Sequence, residues 1–285
     1  MLCGLTPPVA VMFNRPTIPR IHMRRRSFLS ECARTAAAGV SVWFVGRQFA
    51  SAQTTAMTPA NNPPAAPRSP ARARPPGDDW ANLGRYQQDN SQLPPPAEGE
   101  DRVVFYGDSI TDAWGRKYSG FFPGKPYVNR GISGQTTAQM LIRFRPDVIA
   151  LKPKVVVILA GTNDLAGNTG PMTPEETLGN LISMTELARA NGIRVVLASV
   201  LPAIDYPWRP EHPNPSKQII ALNAMIKDYT ARNDLVYLDY YSAMVDERNG
   251  LRKELAEDAV HPNQAGYDVM GPLAGKAIAQ ALQGR

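Results

Sequence analysis

Short apolar runs alternate with longer amphipathic stretches along most of the chain after residue 101. Runs rich in β-branched residues lie at 102–106, 127–130, 155–160, 193–200 and 235–238, and turn residues bound each of them. Strands that are apolar on both faces and separated by helix-length segments are typical of a parallel sheet covered on both sides. The pattern predicts an α/β fold, a three-layer α/β/α sandwich around a mostly parallel five-stranded sheet.

The N-terminal 52 residues differ from this pattern because they are strongly basic, with seven arginines against one acid, Glu31. Arg25 and Arg26 have the spacing of a twin-arginine signal, a mild apolar stretch follows at 36–45, and small residues precede a cleavage site near Ala52. This apolar stretch is too short to cross a bilayer, which needs about 20 residues. We expect an export signal, with a disordered basic tail as the alternative and Met23 as an alternative start.

Residues 53–79 have a composition unlike that of either neighbouring part, since prolines alternate there with Ala, Asn and Arg. Such a segment buries little surface and favours extended, solvated conformations. The predicted organisation is therefore an N-terminal extension with its signal peptide at 1–52, a disordered linker at 53–79 and one folded domain at 80–285.

The charge of the chain bears on nucleic-acid binding, and its cysteine content bears on disulfide formation. After residue 52 the chain has 24 basic and 24 acidic residues, so the expected mature protein is formally neutral and nucleic-acid binding loses its support. Both cysteines, Cys3 and Cys32, lie in the predicted signal, which leaves no thiol for a disulfide. We expect a periplasmic or secreted protein without a stable membrane span, and the sequence has no signal for an oligomeric state.

Polar residues and glycines follow the predicted strands where each one ends. The first run continues into residues 107–109 (Gly-Asp-Ser), the second into 131–134 and the third into 161–164, and an Asp/His pair lies at 258–261 before the last helical stretch. In open parallel sheets, ligands bind just beyond the carboxyl ends of the strands. A serine, a glycine turn, an asparagine and an Asp/His pair are thus predicted to meet at one edge of the sheet.

These stretches resemble, in order, the four sequence blocks of the SGNH/GDSL hydrolase family: "GDSIT" at 107–111, "NRGISGQTT" at 129–137, "GTND" at 161–164 and "DAVHPN" at 258–263. The resemblance covers roughly residues 102–283. The Gly-x-Ser-x-Gly elbow of other serine hydrolases is absent, because Thr111 stands where the closing glycine would be. The resemblance implies a flavodoxin-like SGNH hydrolase fold and a serine esterase activity.

A serine hydroxyl is a weak nucleophile unless a neighbouring base accepts its proton, and histidine suits that task near neutral pH. His212 and His261 are the two histidines that follow the predicted signal. His261 lies three residues after Asp258, close enough for the carboxylate to accept the Nδ1 proton and leave Nε2 for the serine. We predict a catalytic triad of Ser109, His261 and Asp258 and expect His212 in a surface loop.

Attack on an ester carbonyl also requires hydrogen-bond donors for the developing oxyanion. The resemblance assigns this role to the backbone N–H groups of Ser109 and Gly131 and to the side-chain amide of Asn163. Gly131 suits the role because it has no β-carbon. Gly134 is predicted to be an ordinary turn glycine, and Asp108 is predicted to be structural, as the cap of the following helix.

Residues 202–216 form a proline-rich loop after the fourth run, at the predicted active edge. Tyr206, Trp208 and Arg209 in this loop are the candidate substrate contacts. Trp208 either presents a flat face to a sugar or packs only to hold the loop folded, and both alternatives stay open.

The resemblance and the expected export together predict hydrolysis of short acyl esters, acetyl foremost, on carbohydrate. A lysophospholipase or thioesterase of the same fold is one alternative, and a catalytically silent carbohydrate-binding module is another. Acyl transfer to a second alcohol would use the same serine chemistry. We expect no cofactor, since hydrolysis needs only water, and no metal, since two histidines without cysteine make no ligand cluster.

Overall fold

The computed structural model describes residues 79–211 and 214–284. The predicted export signal, nearly all of the predicted linker and His212 lie outside the described residues, so these assignments stay predictions. Within the described ranges, no helix combines the length and apolar character that a membrane span requires.

The five predicted strands are present, and their ends differ from the predicted ones by at most two residues. They are β1 Val103–Gly107, β2 Tyr127–Gly131, β3 Val155–Leu159, β4 Arg194–Ala198 and β5 Val236–Leu238. Their order in the sheet is β2-β1-β3-β4-β5, and every neighbouring pair is parallel. The predicted parallel sheet is confirmed.

Eight α-helices connect or flank these strands in the described part of the chain. They are α1 Gln87–Gln92, α2 Ser109–Ala113, α3 Thr137–Asp147, α4 Thr162–Leu165, α5 Pro174–Ala190, α6 Ser216–Arg232, α7 Tyr241–Met244 and α8 Gln264–Leu282. Helix α5 shows why such a segment starts where it does. Thr173 and Glu176 form a capping box and Pro174 lies in the first turn, where its missing N–H costs no hydrogen bond.

The two faces of the sheet are covered by different helices. Because successive strand residues point to opposite faces, Val104 and Tyr106 of β1 contact one core while Val103 and Phe105 contact the other. The first core includes side chains of α3, α5 and α6, and the second includes side chains of α2, α7 and α8. This arrangement confirms the predicted three-layer α/β/α sandwich.

The order of the strands determines where a ligand can bind. The chain passes from β1 outward to β2 and then returns to the opposite side of β1 with β3. Where the chain changes direction across a parallel sheet, a crevice lies beyond the carboxyl ends of the two adjacent strands, here β1 and β3. Only Asp108 separates Ser109 from the end of β1, and a short turn separates Asn163 from the end of β3. The strand order therefore places both predicted site residues beside the same crevice.

Two glycines at the carboxyl ends of β1 and β2 allow α2 to pack closely against the sheet. Gly107 and Gly131 are partners in the strand register. A β-carbon on Gly107 would lie 2.2 Å from Thr111 Oγ1, and one on Gly131 would lie 2.2 Å from the backbone nitrogen of Asp112. Any larger residue would push the helix that begins with Ser109 away from the strand ends.

Candidate active site

Ser109 is the first residue of α2, immediately beyond the end of β1. The Asp108 carboxylate caps this helix by accepting a 3.0 Å hydrogen bond from the backbone N–H of Ile110, which confirms its predicted structural role. Burial raises the pKa of Asp108 to about 6, against the lowering effect of that hydrogen bond. The short helix thus holds the Ser109 side chain at the rim of the crevice.

Ser109, His261 and Asp258 form a continuous chain of hydrogen bonds. Ser109 Oγ lies 3.0 Å from His261 Nε2, and His261 Nδ1 lies 2.8 Å from Asp258 Oδ2. With its proton on Nδ1, the neutral imidazole donates to Asp258 and leaves the Nε2 lone pair facing the serine hydroxyl. The structure therefore brings together three predicted residues, although Ser109 and His261 lie 152 positions apart in the sequence.

The environment of Asp258 favours its ionised form. Burial alone would raise the pKa of Asp258, but hydrogen bonds from the backbone N–H groups of His261 and Val260 and from the His261 ring together hold it below its ordinary value. The two backbone bonds to Oδ1 measure 2.7 Å and 2.8 Å respectively. The carboxylate is thereby charged at neutral pH and aligned toward His261.

Helix α8 fixes the position of this loop relative to the nucleophile. Asn263 caps α8 by accepting from the Gly266 N–H. Tyr267, one turn later, donates a 2.7 Å hydrogen bond to the carbonyl of Ile110 in α2. The elements that carry His261 and Ser109 are therefore tied directly to each other.

Asn163 lies at the start of α4 with only 3% of its surface exposed. Its Nδ2 donates to the carbonyl of Gln135 at 3.0 Å and lies 3.4 Å from Asp108 Oδ2, next to the nucleophile. Its Oδ1 accepts a 2.8 Å hydrogen bond from Asn168 Nδ2. The structure thus places this predicted amide beside the turn that carries Ser109.

Gly131 does not fit its predicted role as an oxyanion donor. Its N–H donates to the Asn129 side chain at 2.8 Å, and its carbonyl accepts from the Tyr86 hydroxyl. Both backbone polar groups are therefore already used, and the missing β-carbon is explained by the contact with α2 described above. Gly131 has a packing role at the end of β2.

Gly134 is a turn glycine, as predicted, and it also has the features expected for Gly131. It is exposed, has a φ of +78° and has open space around it. Its N–H makes no hydrogen bond within the described residues, while its carbonyl accepts from Asn168 Nδ2 at 3.2 Å. Gly134 is therefore the glycine of the motif whose N–H is free to bind a ligand.

The three candidates in the proline-rich loop have different positions. Tyr206 is fully buried, so it cannot contact a substrate as predicted, and its ring lies 5.4 Å from that of Trp208. Trp208 is 39% exposed, and its ring centroid lies 6.1 Å from that of His261. Arg209 donates to the carbonyl of Gly167 and pairs with Glu211, which anchors the loop. Only Trp208 presents a face to the site.

An open cleft of about 360 Å³ lies beside the nucleophile. Ser109, His261 and Ser133 line one part of it. Lys117 and Tyr118 line another part, and both bind the carboxylate of Glu257. A volume of this size is typical of a small-molecule site, and its walls combine charged groups with hydroxyls.

Arg143 belongs to the framework of the site, although no sequence motif indicates it. Its side chain is fully buried in α3, where the guanidinium binds the carbonyls of Gly107 at 3.1 Å and Arg130 at 2.9 Å and the carboxylate of Asp147 at 3.1 Å. The sequence signal available was an Arg/Asp pair at i,i+4, which is common on exposed helix faces. Its burial and its contacts with two strand ends depend on the fold.

The described residues contain no group of three or more His, Cys, Asp or Glu side chains placed to hold a metal ion. The three-layer α/β/α fold and the histidine-bonded serine at the carboxyl edge of its sheet are the features of the SGNH/GDSL class of hydrolases. The model of the GDSL-like Lipase/Acylhydrolase family matches residues 105–269, and the chain belongs to this family. The family is named for lipase and acylhydrolase activity, so hydrolysis of a carboxylic ester is the activity proposed below.

Known proteins support this assignment. The solved structure of a GDSL-like lipase from Bacteroides thetaiotaomicron is 48% identical, with a TM-score of 0.69 and coverage of 70% of this chain and 98% of that chain. The human platelet-activating factor acetylhydrolase IB subunit alpha2 is 30% identical over 138 residues, 45% of this chain and 54% of the relative. The acetylxylan esterase of Xylanibacter ruminicola is 24% identical over 221 residues, 65% of this chain and 45% of the relative. The chain spans about half the length of these curated relatives.

Proposed function

We propose that this protein is a serine esterase that hydrolyses short acyl esters, acetyl foremost, on carbohydrate substrates. The observation that carries the proposal is the hydrogen-bonded series from Ser109 through His261 to Asp258, with distances of 3.0 Å and 2.8 Å. A hydroxyl, an imidazole and a carboxylate in this order are the elements of nucleophilic acyl transfer.

In the proposed reaction, Ser109 Oγ attacks the ester carbonyl while His261 Nε2 accepts the hydroxyl proton. The tetrahedral intermediate collapses when His261 gives that proton to the departing alcohol, and the acyl group remains on Ser109. A water molecule then attacks the acyl-enzyme while His261 again accepts a proton. His261 returns this proton to Ser109 Oγ as the second tetrahedral intermediate collapses, and the carboxylic acid leaves. Asp258 keeps the imidazole in the required tautomer and stabilises its charged form.

The oxyanion is proposed to bind the backbone N–H groups of Ser109 and Gly134 and the side-chain amide of Asn163. Ser109 is in the first turn of α2, where a backbone N–H has no partner within its own helix. Gly134 replaces Gly131 in this role because the Gly131 N–H is bound to Asn129. Asn163 contributes the remaining donor through Nδ2, which exchanges its long 3.4 Å contact with Asp108 Oδ2 for the oxyanion and keeps its bond to Gln135.

The names of two curated relatives support acetyl as the acyl group, and the side chains around His261 support a carbohydrate as the substrate. Two of the curated relatives are named for the removal of acetyl groups, one from xylan and one from platelet-activating factor. The exposed face of Trp208, beside His261, suits the apolar face of a sugar ring, and the charged groups and hydroxyls of the cleft can bind sugar hydroxyls.

Export through the N-terminal 52 residues is part of the proposal and rests on their sequence pattern alone. Cleavage near Ala52 would release the hydrolase outside the cytoplasm. N-terminal mass spectrometry of the protein from the periplasm or medium tests this point, and an uncleaved N-terminus in the cytoplasm would contradict it.

The substrate proposal is tested with nitrophenyl esters of increasing acyl length and with a panel of acetylated glycans, each assayed beside Ser109→Ala. We expect the highest kcat/KM for the acetyl ester and acetate release from at least one glycan. Activity that peaks at octanoyl or longer esters would favour a lysophospholipase or thioesterase. Turnover by the wild type no faster than by Ser109→Ala would instead indicate a binding module.

A further inference from the structure

We infer that Asn168 is a positioning residue, which fixes the orientation of the Asn163 amide and is itself held by the indole N–H of Trp208. Asn168 does not belong to any of the four sequence motifs, and it touches neither Ser109 nor His261 among its hydrogen-bond partners. The inference rests on the proposed function, in which the Asn163 side chain donates to the oxyanion.

An asparagine amide can serve as an oxyanion donor in only one of its two orientations. A half-turn of the amide group exchanges Nδ2 with Oδ1, and an oxygen facing the developing negative charge would repel it. In the structure, Asn163 Nδ2 donates to the Gln135 carbonyl at 3.0 Å and Oδ1 accepts from Asn168 Nδ2 at 2.8 Å. Both hydrogen bonds exist only in the orientation that points Nδ2 toward Asp108 and the nucleophile.

The orientation of Asn168 is fixed in turn by two groups that cannot exchange roles. The indole N–H of Trp208 is only a donor, and it donates to Asn168 Oδ1 at 3.0 Å. The Gly134 carbonyl is only an acceptor, and it accepts from Asn168 Nδ2 at 3.2 Å. The same Nδ2 therefore faces Asn163, and a flipped Asn168 would lose three hydrogen bonds at once.

The backbone holds Asn168 in place as well. Its N–H donates to the carbonyl of Asn163 at 3.0 Å, so the two residues are linked through both the main chain and the side chains. Through its side chain, Asn168 also joins the loops that follow β2, β3 and β4, represented by Gly134, Asn163 and Trp208. Two of the three proposed oxyanion donors thus share one support, and the substrate loop is connected to it.

The test compares kcat and KM for nitrophenyl acetate in Asn168→Ala, Asn168→Asp and Asn163→Ala. Losing an oxyanion donor outright costs about 10²–10³ in kcat, so we expect that loss in Asn163→Ala and a loss of about tenfold or more in both Asn168 variants. KM should stay near the wild-type value because a contact made only in the transition state changes kcat and not ground-state binding. Asn168→Asp nearly preserves size and the bond from Trp208 but replaces the donor that faces Asn163 with an acceptor.

A double variant separates positioning from a general structural effect. If Asn168 acts through Asn163, adding Asn168→Ala to Asn163→Ala should lower kcat no further. Trp208→Phe keeps an aromatic ring but lacks the indole N–H, and we expect a smaller loss of kcat on the same small ester. The matched control is Asn191→Ala, which removes a surface amide that donates to Leu187 at the end of α5, and its kcat should equal that of the wild type.

Wild-type kcat in folded Asn168→Ala and Asn168→Asp would overturn the inference, as would a loss that is fully additive with Asn163→Ala. Circular dichroism and thermal unfolding of each variant establish that the protein is folded. If Asn163→Ala itself keeps wild-type kcat, the oxyanion role under the proposed function fails, which is a separate outcome from failure of the Asn168 inference.

Discussion

The guanidinium of Arg143 donates a 3.1 Å hydrogen bond to the carbonyl of Gly107, so a cation in α3 holds the end of the strand that leads to Ser109. The same side chain binds the carbonyl of Arg130 near the end of β2 and forms an ion pair with Asp147, and neither side chain of the pair is more than 1% exposed. A buried charge that fastens two strand ends is strongly stabilising only while all its partners are present.

Replacing this cation should therefore destabilise the whole domain. In Arg143→Met the carboxylate of Asp147 would stay buried without its ion-pair partner, and we expect the free energy of unfolding to fall by about 3–5 kcal/mol. Urea denaturation followed by circular dichroism measures the change. Arg232→Met is the matched control, because it removes an i,i+4 pair with Asp228 that lies on the surface, and it should alter stability little. Equal stability in both variants would contradict this prediction.

The role proposed for Asp258 predicts a loss of activity without a loss of fold. In Asp258→Asn the amide can donate to His261 Nδ1, which would put the proton on Nε2 and leave Ser109 without a base. We expect kcat to fall by about 10⁴, close to the effect of Ser109→Ala, while the protein stays folded with a modestly lower unfolding temperature, because the ionised Asp258 stabilises the folded state. Asp268→Asn, on the exposed face of α8, is the control with wild-type kcat. Retention of more than a tenth of the activity in Asp258→Asn would exclude the proposed role.

The two glycines of the second motif should respond differently to a methyl group. In Gly131→Ala the β-carbon would lie 2.2 Å from the Asp112 backbone nitrogen, so α2 must shift. We expect a loss of about 2–3 kcal/mol in stability and a lower kcat. Gly134→Ala has open space and should cost only about 1 kcal/mol, from its positive φ.

Gly120→Ala is the control for this comparison, since Gly120 has a φ of +83° and open space like Gly134 but is outside the site. Thermal or urea unfolding of the three variants checks the order. If Gly131→Ala is as stable as Gly120→Ala, the explanation of Gly131 by packing against α2 is wrong.

The raised pKa of Asp108 predicts that the free energy of unfolding depends on pH. Burial raises its pKa from an ordinary 3.8 to about 6, so the folded state binds its proton more tightly than the unfolded state. The stability that this group contributes is therefore complete below pH 3.8 and is lost as the pH rises through about 6. Asparagine at this position does not titrate.

We therefore expect the stability of Asp108→Asn relative to the wild type to increase between about pH 4 and about pH 7. Urea denaturation of both proteins at several pH values gives this difference directly. Asp228→Asn, at an exposed position on α6, should show a difference that changes little over the same range. A constant difference for Asp108→Asn would mean that the carboxyl is already ionised at the lower pH in the folded protein.

The sequence alone determined the sheet and the edge at which the chemistry lies. Apolar runs separated by helix-length segments can bury both faces only as a covered parallel sheet, and all carboxyl ends of such strands meet at one edge. Ser109, Asn163 and the Asp258/His261 pair could therefore be predicted to converge, because each follows a strand or precedes the last helix. The capping role of Asp108 is a local feature, and it was predicted correctly for that reason.

Only the tertiary structure decided which neighbours within a motif are available to a ligand. Gly131 and Gly134 look alike in sequence, but the Asn129 side chain takes one N–H and leaves the other free. Tyr206 and Trp208 share one loop, yet packing buries the first and exposes the second. Burial and hydrogen-bond partners depend on contacts between distant segments, such as the 36 positions that separate Arg143 from Gly107, and no local pattern encodes them.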